Sequence, residues 1–268
     1  MLEWDMNPII SQLAVQMYTV RDFTATAEDL AATLAKIRAI GYPAVQLSAI
    51  GAMAGGTPAV SAQLARRMLD DNGLHCIATH RSWESLTGET EKEIAFHHTL
   101  GCDFAAIGSL PPAYAESGAA GYAAFARDAA PVIAHLKDAG IRFGYHNHAG
   151  EFERTGDTRT RFDILIEEGG PNLCLELDLY WIAHAGANPQ RLVERCAGRV
   201  PVIHVKDKEI VDGQPVMAPV GEGNLDWPSL LPACADAGVE WYAVEQDVCR
   251  RDPFDCLRSS FQFLSGRG

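Results

Sequence analysis

The apolar and polar positions of this chain follow one repeated scheme. A stretch with helical period ends at a glycine, and a short apolar run follows at once. The scheme recurs in AIGYPAVQLS, DNGLHCIATH, TLGCDFAAIG, DAGIRFGYHN, EGGPNLCLELD, CAGRVPVIHV and DAGVEWYAVE, with the turns at Gly41, Gly73, Gly101, Gly140, Gly170, Gly198 and Gly238. Glycine is the usual residue just past a helix end, where the backbone turns left-handed. The runs that follow are rich in Val, Ile, Leu, Phe and Tyr, which suits strands buried on both faces. With the opening run QLAVQMY, the pattern predicts eight strands alternating with helices such as AEDLAATLAKIRAI, TEKEIAFHHTL, YAAFARDAAPVIAHLKD and DWPSLLPACADA. Pro228 and Pro253 suit first helical turns.

Eight such units predict a (β/α)8 TIM barrel of the α/β class, with residues 1–268 forming a single domain. A doubly wound open sheet normally carries a GxGxxG loop after its first strand; here that position reads MYTVRDF. The segments 48–59 and 207–224, rich in Gly, Ala and Pro, read as long loops after the second and seventh strands.

Composition narrows the partners. Among 268 residues, Asp and Glu outnumber Lys and Arg by 35 to 22, for a formal charge of −13. That balance repels phosphate backbones and anionic lipid, so neither nucleic acid nor membrane is an expected partner. No apolar run reaches the roughly 18 residues of a membrane span, and MLEWDMNPII has no secretory pattern. The seven cysteines are odd in number and form no CxxC. A cytoplasmic location is the expectation.

The ends of the predicted strands collect the chemistry. They carry Gln16 and Tyr18, Gln46, His80, His146 with Asn147 and His148, Glu176 and Asp178, His204 and Lys206, and Glu245 and Asp247; the fourth strand ends in Gly108 and offers nothing. Side chains alternate across a strand, so His146 shares a face with His148, and Glu176 with Asp178. Asp178, His204 and Glu245 pointing inward would meet at one point. Imidazole with carboxylate suits Mn²⁺, Co²⁺, Fe²⁺ or Zn²⁺ better than Mg²⁺. Any one of these residues alone reads as a hydrogen-bonded filler, a helix cap or an ion-pair partner. Together at one end of a barrel they read as a metal site. His97, His98 and His135 fall on helices and His75 at a strand start, all away from that end.

The pieces FGYHNHAGEF, LELDLYW, VIHVKDKE, VGEGNLDW and WYAVEQD, in this order, resemble the xylose isomerase-like TIM barrels of the sugar phosphate isomerase/epimerase superfamily. The resemblance implies one divalent ion (Mn, Co, Zn or Mg) held by residues of the last four strands, matched here by His146, Asp178, His204 and Glu245. The first of these is a departure, because the family pattern has Glu there; His148 is the alternative ligand. Glu176 would sit one layer beneath Asp178 and orient a histidine. The implied activity is sugar or sugar-phosphate isomerisation or epimerisation, by proton transfer next to a carbonyl through an enediolate. Catalytic candidates are Glu245, His148, Glu151 and Lys206; candidates for substrate contact are Gln16, Tyr18, His80, Trp181 and Trp227, with Arg21 and Trp83 in support. A keto-sugar or inosose dehydratase is the second reading, and a non-catalytic carbohydrate-binding subunit the third. DNA-repair endonucleases share the fold but need a basic groove, which the charge opposes. The expected partner is a small sugar or polyol, and barrels of this kind also pair as homodimers.

Overall fold

The computed structural model describes residues 9–156 and 158–266. Eight parallel strands close into a barrel: β1 (Leu13–Gln16), β2 (Ala44–Leu47), β3 (His75–His80), β4 (Phe104–Ile107), β5 (Arg142–His146), β6 (Leu173–Asp178), β7 (Val202–Val205) and, after a hairpin, β10 (Trp241–Val244). Their order around the barrel is β1-β10-β7-β6-β5-β4-β3-β2, so the first strand seals against the last. Helices follow the strands on the outside. All seven glycines of the repeated scheme have positive φ, for example Gly101 at 66°, where the chain leaves the helix Thr90–Leu100. Pro228 and Pro253 lie in the first turns of the helices Trp227–Asp236 and Pro253–Leu264.

The segment after β7 differs from the expected loop. Asp207–Val211 (β8) and Gln214–Ala218 (β9) pair as an antiparallel hairpin. Its turn, with Asp212 and Gly213 both at positive φ, is the Asp-Gly hairpin signal. The surrounding glycines and prolines mask that signal in the sequence.

The core has two parts. Leu, Ile, Val and Phe side chains fill the layer between strands and helices. Inside the barrel lie mostly small residues, Ala14, Ala44, Ala78, Ala106, Val202 and Ala243, with Phe104 and Ile77. Gly144 of β5 is needed here, because a Cβ at this position would lie 2.3 Å from Phe104 Cζ. No helix among the described residues is long and apolar enough to cross a membrane.

Candidate active site

Strand alternation builds the site. Two residues after Ala14, Ala44, Ala78, Val202 and Ala243 come Gln16, Gln46, His80, His204 and Glu245, and two residues after Gly144 and Cys174 come His146 and Glu176. Those small residues fill the barrel floor, so a step of two places the polar ones in a layer above, at the C-terminal mouth. One further step adds Asp178, Lys206 and Asp247. Of these ten residues, all but His80 and Asp247 are buried.

His204 divides this layer into two groups through its two ring nitrogens. On the inner side, Nε2 donates to Gln46 Oε1 at 2.9 Å and lies 3.4 Å from Glu176 Oε2. Gln46 Nε2 in turn donates to Glu176 Oε1 at 2.8 Å, and His80 Nε2 lies 2.5 Å from Glu176 Oε2. His146 Nδ1 is 3.5 Å from that same oxygen, buried and without a hydrogen-bond partner. On the outer side, His204 Nδ1 lies 3.1 Å from Glu245 Oε2. There the Lys206 ammonium is 2.9 Å from Asp178 Oδ2, 2.8 Å from Glu245 Oε2 and 3.0 Å from Asp247 Oδ1. The other oxygen of Asp178 caps the helix Leu179–His184 by accepting from Trp181 N.

The electrostatics follow from these contacts. Burial opposes charge on His204, yet Glu176 and Glu245 outweigh it and raise its pKa to about 10. Burial, reinforced by the neighbouring His204, pushes His146 well below the usual imidazole range. Burial also disfavours ionised Glu176 and Glu245, but the adjoining histidines, and Lys206 beside Glu245, hold both carboxyls below the ordinary range. Lys206 is raised: burial opposes its charge, and the carboxylates prevail. Asp247 is raised by burial and by the nearby Glu245 charge.

A cleft of about 500 Å³ opens onto this layer, lined by Tyr18, Ser48, Ala49, His80, Gly108, Ser109, His146, His148, Glu245 and Asp247. Gly108 contributes space, since a Cβ there would lie 3.1 Å from His80 Nδ1. Arg21 stacks on Tyr18 and donates to the backbone carbonyls of Tyr18 and Asp247, tying both walls of the mouth together. Trp181 places its ring 5.7 Å from Lys206 Nζ, next to His148, and its indole Nε1 has no partner.

Several candidates sit elsewhere than expected. Glu151 is buried on the outer side of β5, where its oxygens accept from Tyr145 Oη and His148 N, so it shapes the loop after the strand. Trp227 is buried and donates Nε1 to Asp207 Oδ2. Asp207 also accepts backbone N–H groups of Lys208, Gly221, Gly223 and Leu225, which accounts for VGEGNLDW as a clasp around one carboxylate. Gln16 is buried, accepts from Tyr18 N and does not line the cleft. Trp83 packs on Phe125 and Phe143 in the core. Two residues gain weight: Glu176, expected only to orient a histidine, is the centre of the inner group, and Gln46 connects it to His204. Their partners lie 130 and 158 residues apart in sequence, so only the register of the closed barrel reveals them.

The donors suit a divalent cation. Single donor atoms of His80, His146, Glu176 and His204 lie within 4.8 Å of one another, as do those of His146, Asp178, His204 and Glu245. Such mixed imidazole and carboxylate sets are typical for Mn²⁺, Co²⁺, Fe²⁺ and Zn²⁺. In the second set, Lys206 already neutralises the carboxylates. A dication about 3 Å from that ammonium would meet repulsion on the order of 10 kcal/mol at an effective dielectric of 20.

A closed parallel barrel with its ionisable side chains gathered at the C-terminal mouth defines the class of TIM-barrel proteins that carry chemistry in their strand-to-helix loops. Within it, the chain belongs to the xylose isomerase-like TIM barrel family, whose profile matches residues 34–264. No curated protein sequence matches the chain significantly. Among solved structures, it is similar to a sugar phosphate isomerase/epimerase from Parabacteroides distasonis ATCC 8503, with 21% identity, a TM-score of 0.77, and coverage of 95% of this chain and 94% of the other. An L-ribulose 3-epimerase shares 15% identity at a TM-score of 0.69, covering 95% and 93% of the two chains. The probable 3-DHS dehydratase AsbF from Bacillus anthracis shares 13% identity at a TM-score of 0.68, covering 96% and 100%. These likenesses establish the shared fold.

Proposed function

We propose that the protein is a divalent-cation-dependent isomerase or epimerase of a small sugar, acting by proton transfer next to a carbonyl. The observation that carries this reading is Glu245. Its carboxylate lines the cleft, and Oε2 is fixed between Lys206 and His204. A general base needs that combination of substrate access and a fixed position. A cation held among the histidines and carboxylates of the mouth would polarise the substrate carbonyl and stabilise negative charge on its oxygen.

The chain's own groups supply the rest. Glu245 accepts the proton from the carbon beside the carbonyl, the C–H electrons form the carbon–carbon double bond of an enediol, and the carbonyl oxygen takes the displaced pair. Return of the proton to the neighbouring carbon shifts the carbonyl; delivery of a different proton to the original carbon from the opposite face, by a second acid such as His148, inverts that carbon. His148 and Asp247, which also line the cleft, are placed to move protons between substrate oxygens. Tyr18, in the cleft wall, offers an aromatic face for a sugar ring. The lining contains two carboxylates and no Lys or Arg, which favours an unphosphorylated substrate. The dehydratase reading shares the first step and draws support from the AsbF likeness.

The test is a panel of keto-sugars and inososes incubated in D₂O with Mn²⁺ or Co²⁺. We expect deuterium to enter at the carbon beside the carbonyl, and Glu245→Gln to lower kcat/KM by about 10²–10⁴-fold with the fold intact. Loss of water from the product would select the dehydratase. Turnover without solvent exchange, or unchanged in Glu245→Gln, would remove Glu245 from the chemistry.

A further inference from the structure

Resting on the cation-dependent reading, we propose that the ion occupies the inner group, on His80, His146, Glu176 and His204, while Lys206 takes the place of an ion between Asp178 and Glu245. The family-like set of His146, Asp178, His204 and Glu245 is therefore split: its histidines bind the ion, and its carboxylates hold an ammonium.

The distances favour this division. Neighbouring ligands at about 2.0–2.2 Å from one ion lie roughly 3.0–3.4 Å apart, and an ion with five or six positions keeps one open beyond these four for a substrate oxygen. His204 Nε2 and His146 Nδ1 stand 3.4 and 3.5 Å from Glu176 Oε2, close to that spacing. His146 Nδ1 is the buried nitrogen left without a partner, and it faces this oxygen. Gln46 holds Glu176 Oε1, so Oε2 is the oxygen left to the histidines; on binding, the ion takes the place of the proton that His204 Nε2 now gives to Gln46 Oε1. His80, which now pairs with Oε2 at 2.5 Å, and His146 both line the cleft, and they give an ion a route inward.

The outer group is arranged differently. Asp178 Oδ2 and Glu245 Oε2 both lie within 2.9 Å of one fully buried ammonium, which also pairs with Asp247. An ion on those two oxygens would have to displace the Lys206 ammonium from both and leave its buried charge to Asp247 alone. With the ion inside, Glu245 stays free of coordination at the cleft wall, and Asp178 acts as a positioning residue for Lys206.

The experiment is equilibrium dialysis of the whole protein against Co²⁺ or Mn²⁺, with metal analysis, and the visible absorption of the Co²⁺ form as a second readout. We expect the wild type to take up one ion per chain. Glu176→Gln and His80→Ala should weaken uptake by more than about 100-fold and abolish the Co²⁺ band, whereas Asp178→Asn should change affinity by less than about tenfold. Glu176 is deeply buried, so its variant is checked for folding by circular dichroism; His80, at the cleft wall, gives an independent answer. A wild type that binds no ion overturns the cation-dependent reading and this assignment together. A wild type that binds, with uptake lost in Asp178→Asn or kept in a folded Glu176→Gln or in His80→Ala, overturns the assignment alone.

Discussion

Asp207 shows how much of a motif can be structural. The carboxylate follows Lys206 directly, yet it points away from the chemistry and gathers five N–H groups, four from backbone and one from Trp227. Its neighbourhood is closed to anything larger, since a Cβ on Gly223 would lie 2.2 Å from Asp207 Oδ1. Asp207→Asn would set an NH₂ group against N–H donors and leave at least one of them unsatisfied in a buried place. We expect a loss of about 3 kcal/mol in unfolding free energy, measured by urea titration. A change below about 0.5 kcal/mol would mean that the clasp does not hold the segment. The family resemblance makes Trp227 a candidate for substrate contact, and the structure gives its indole N–H to Asp207 instead. Only the side-chain direction separates Lys206, which faces inward, from its neighbour, which does not.

At the level of elements, the apolar runs after glycines place seven barrel strands and the opening run QLAVQMY the eighth, because burial on both faces leaves a plain signature. The polar residues at strand ends were legible for the same reason: a step of two keeps them on the inner face. The pairings among them were not. His80 meets Glu176 across 96 residues, and that contact exists only because β3 and β6 face each other in a closed sheet. The contact between β4 and β5 offers a separate test of the floor. Gly144→Ala would press a methyl group into the Phe104 ring, and overpacking of this kind costs roughly 1–3 kcal/mol. Adding Phe104→Leu should recover part of the loss in thermal unfolding. If Gly144→Ala is as stable as the wild type, the floor has slack that the packing does not show.

For the molecule as a whole, several charged groups lie inside one barrel mouth and support one another through short contacts. A ligand that binds only the folded chain stabilises it by about 2.7 kcal/mol at 100 times its Kd. For a protein of this size, Co²⁺ or Mn²⁺ should therefore raise Tm by roughly 5 °C, and a chelator should reverse the shift. An unchanged Tm at saturating ion would count against a cation at the mouth. The net charge of −13, readable from composition, bears on the choice of partner and is silent on the site, where acidic and basic groups are matched locally.

Phe104, Ile77 and Val202 plug the lower end of the barrel beneath the polar layer. Among the described residues the interior is thus a blind well that opens at its C-terminal mouth. On the proposed reaction, whatever enters would have to back out by the same route, so each departing molecule would obstruct the next arrival, and the pace of that exchange would set a ceiling on turnover however fast the proton moves.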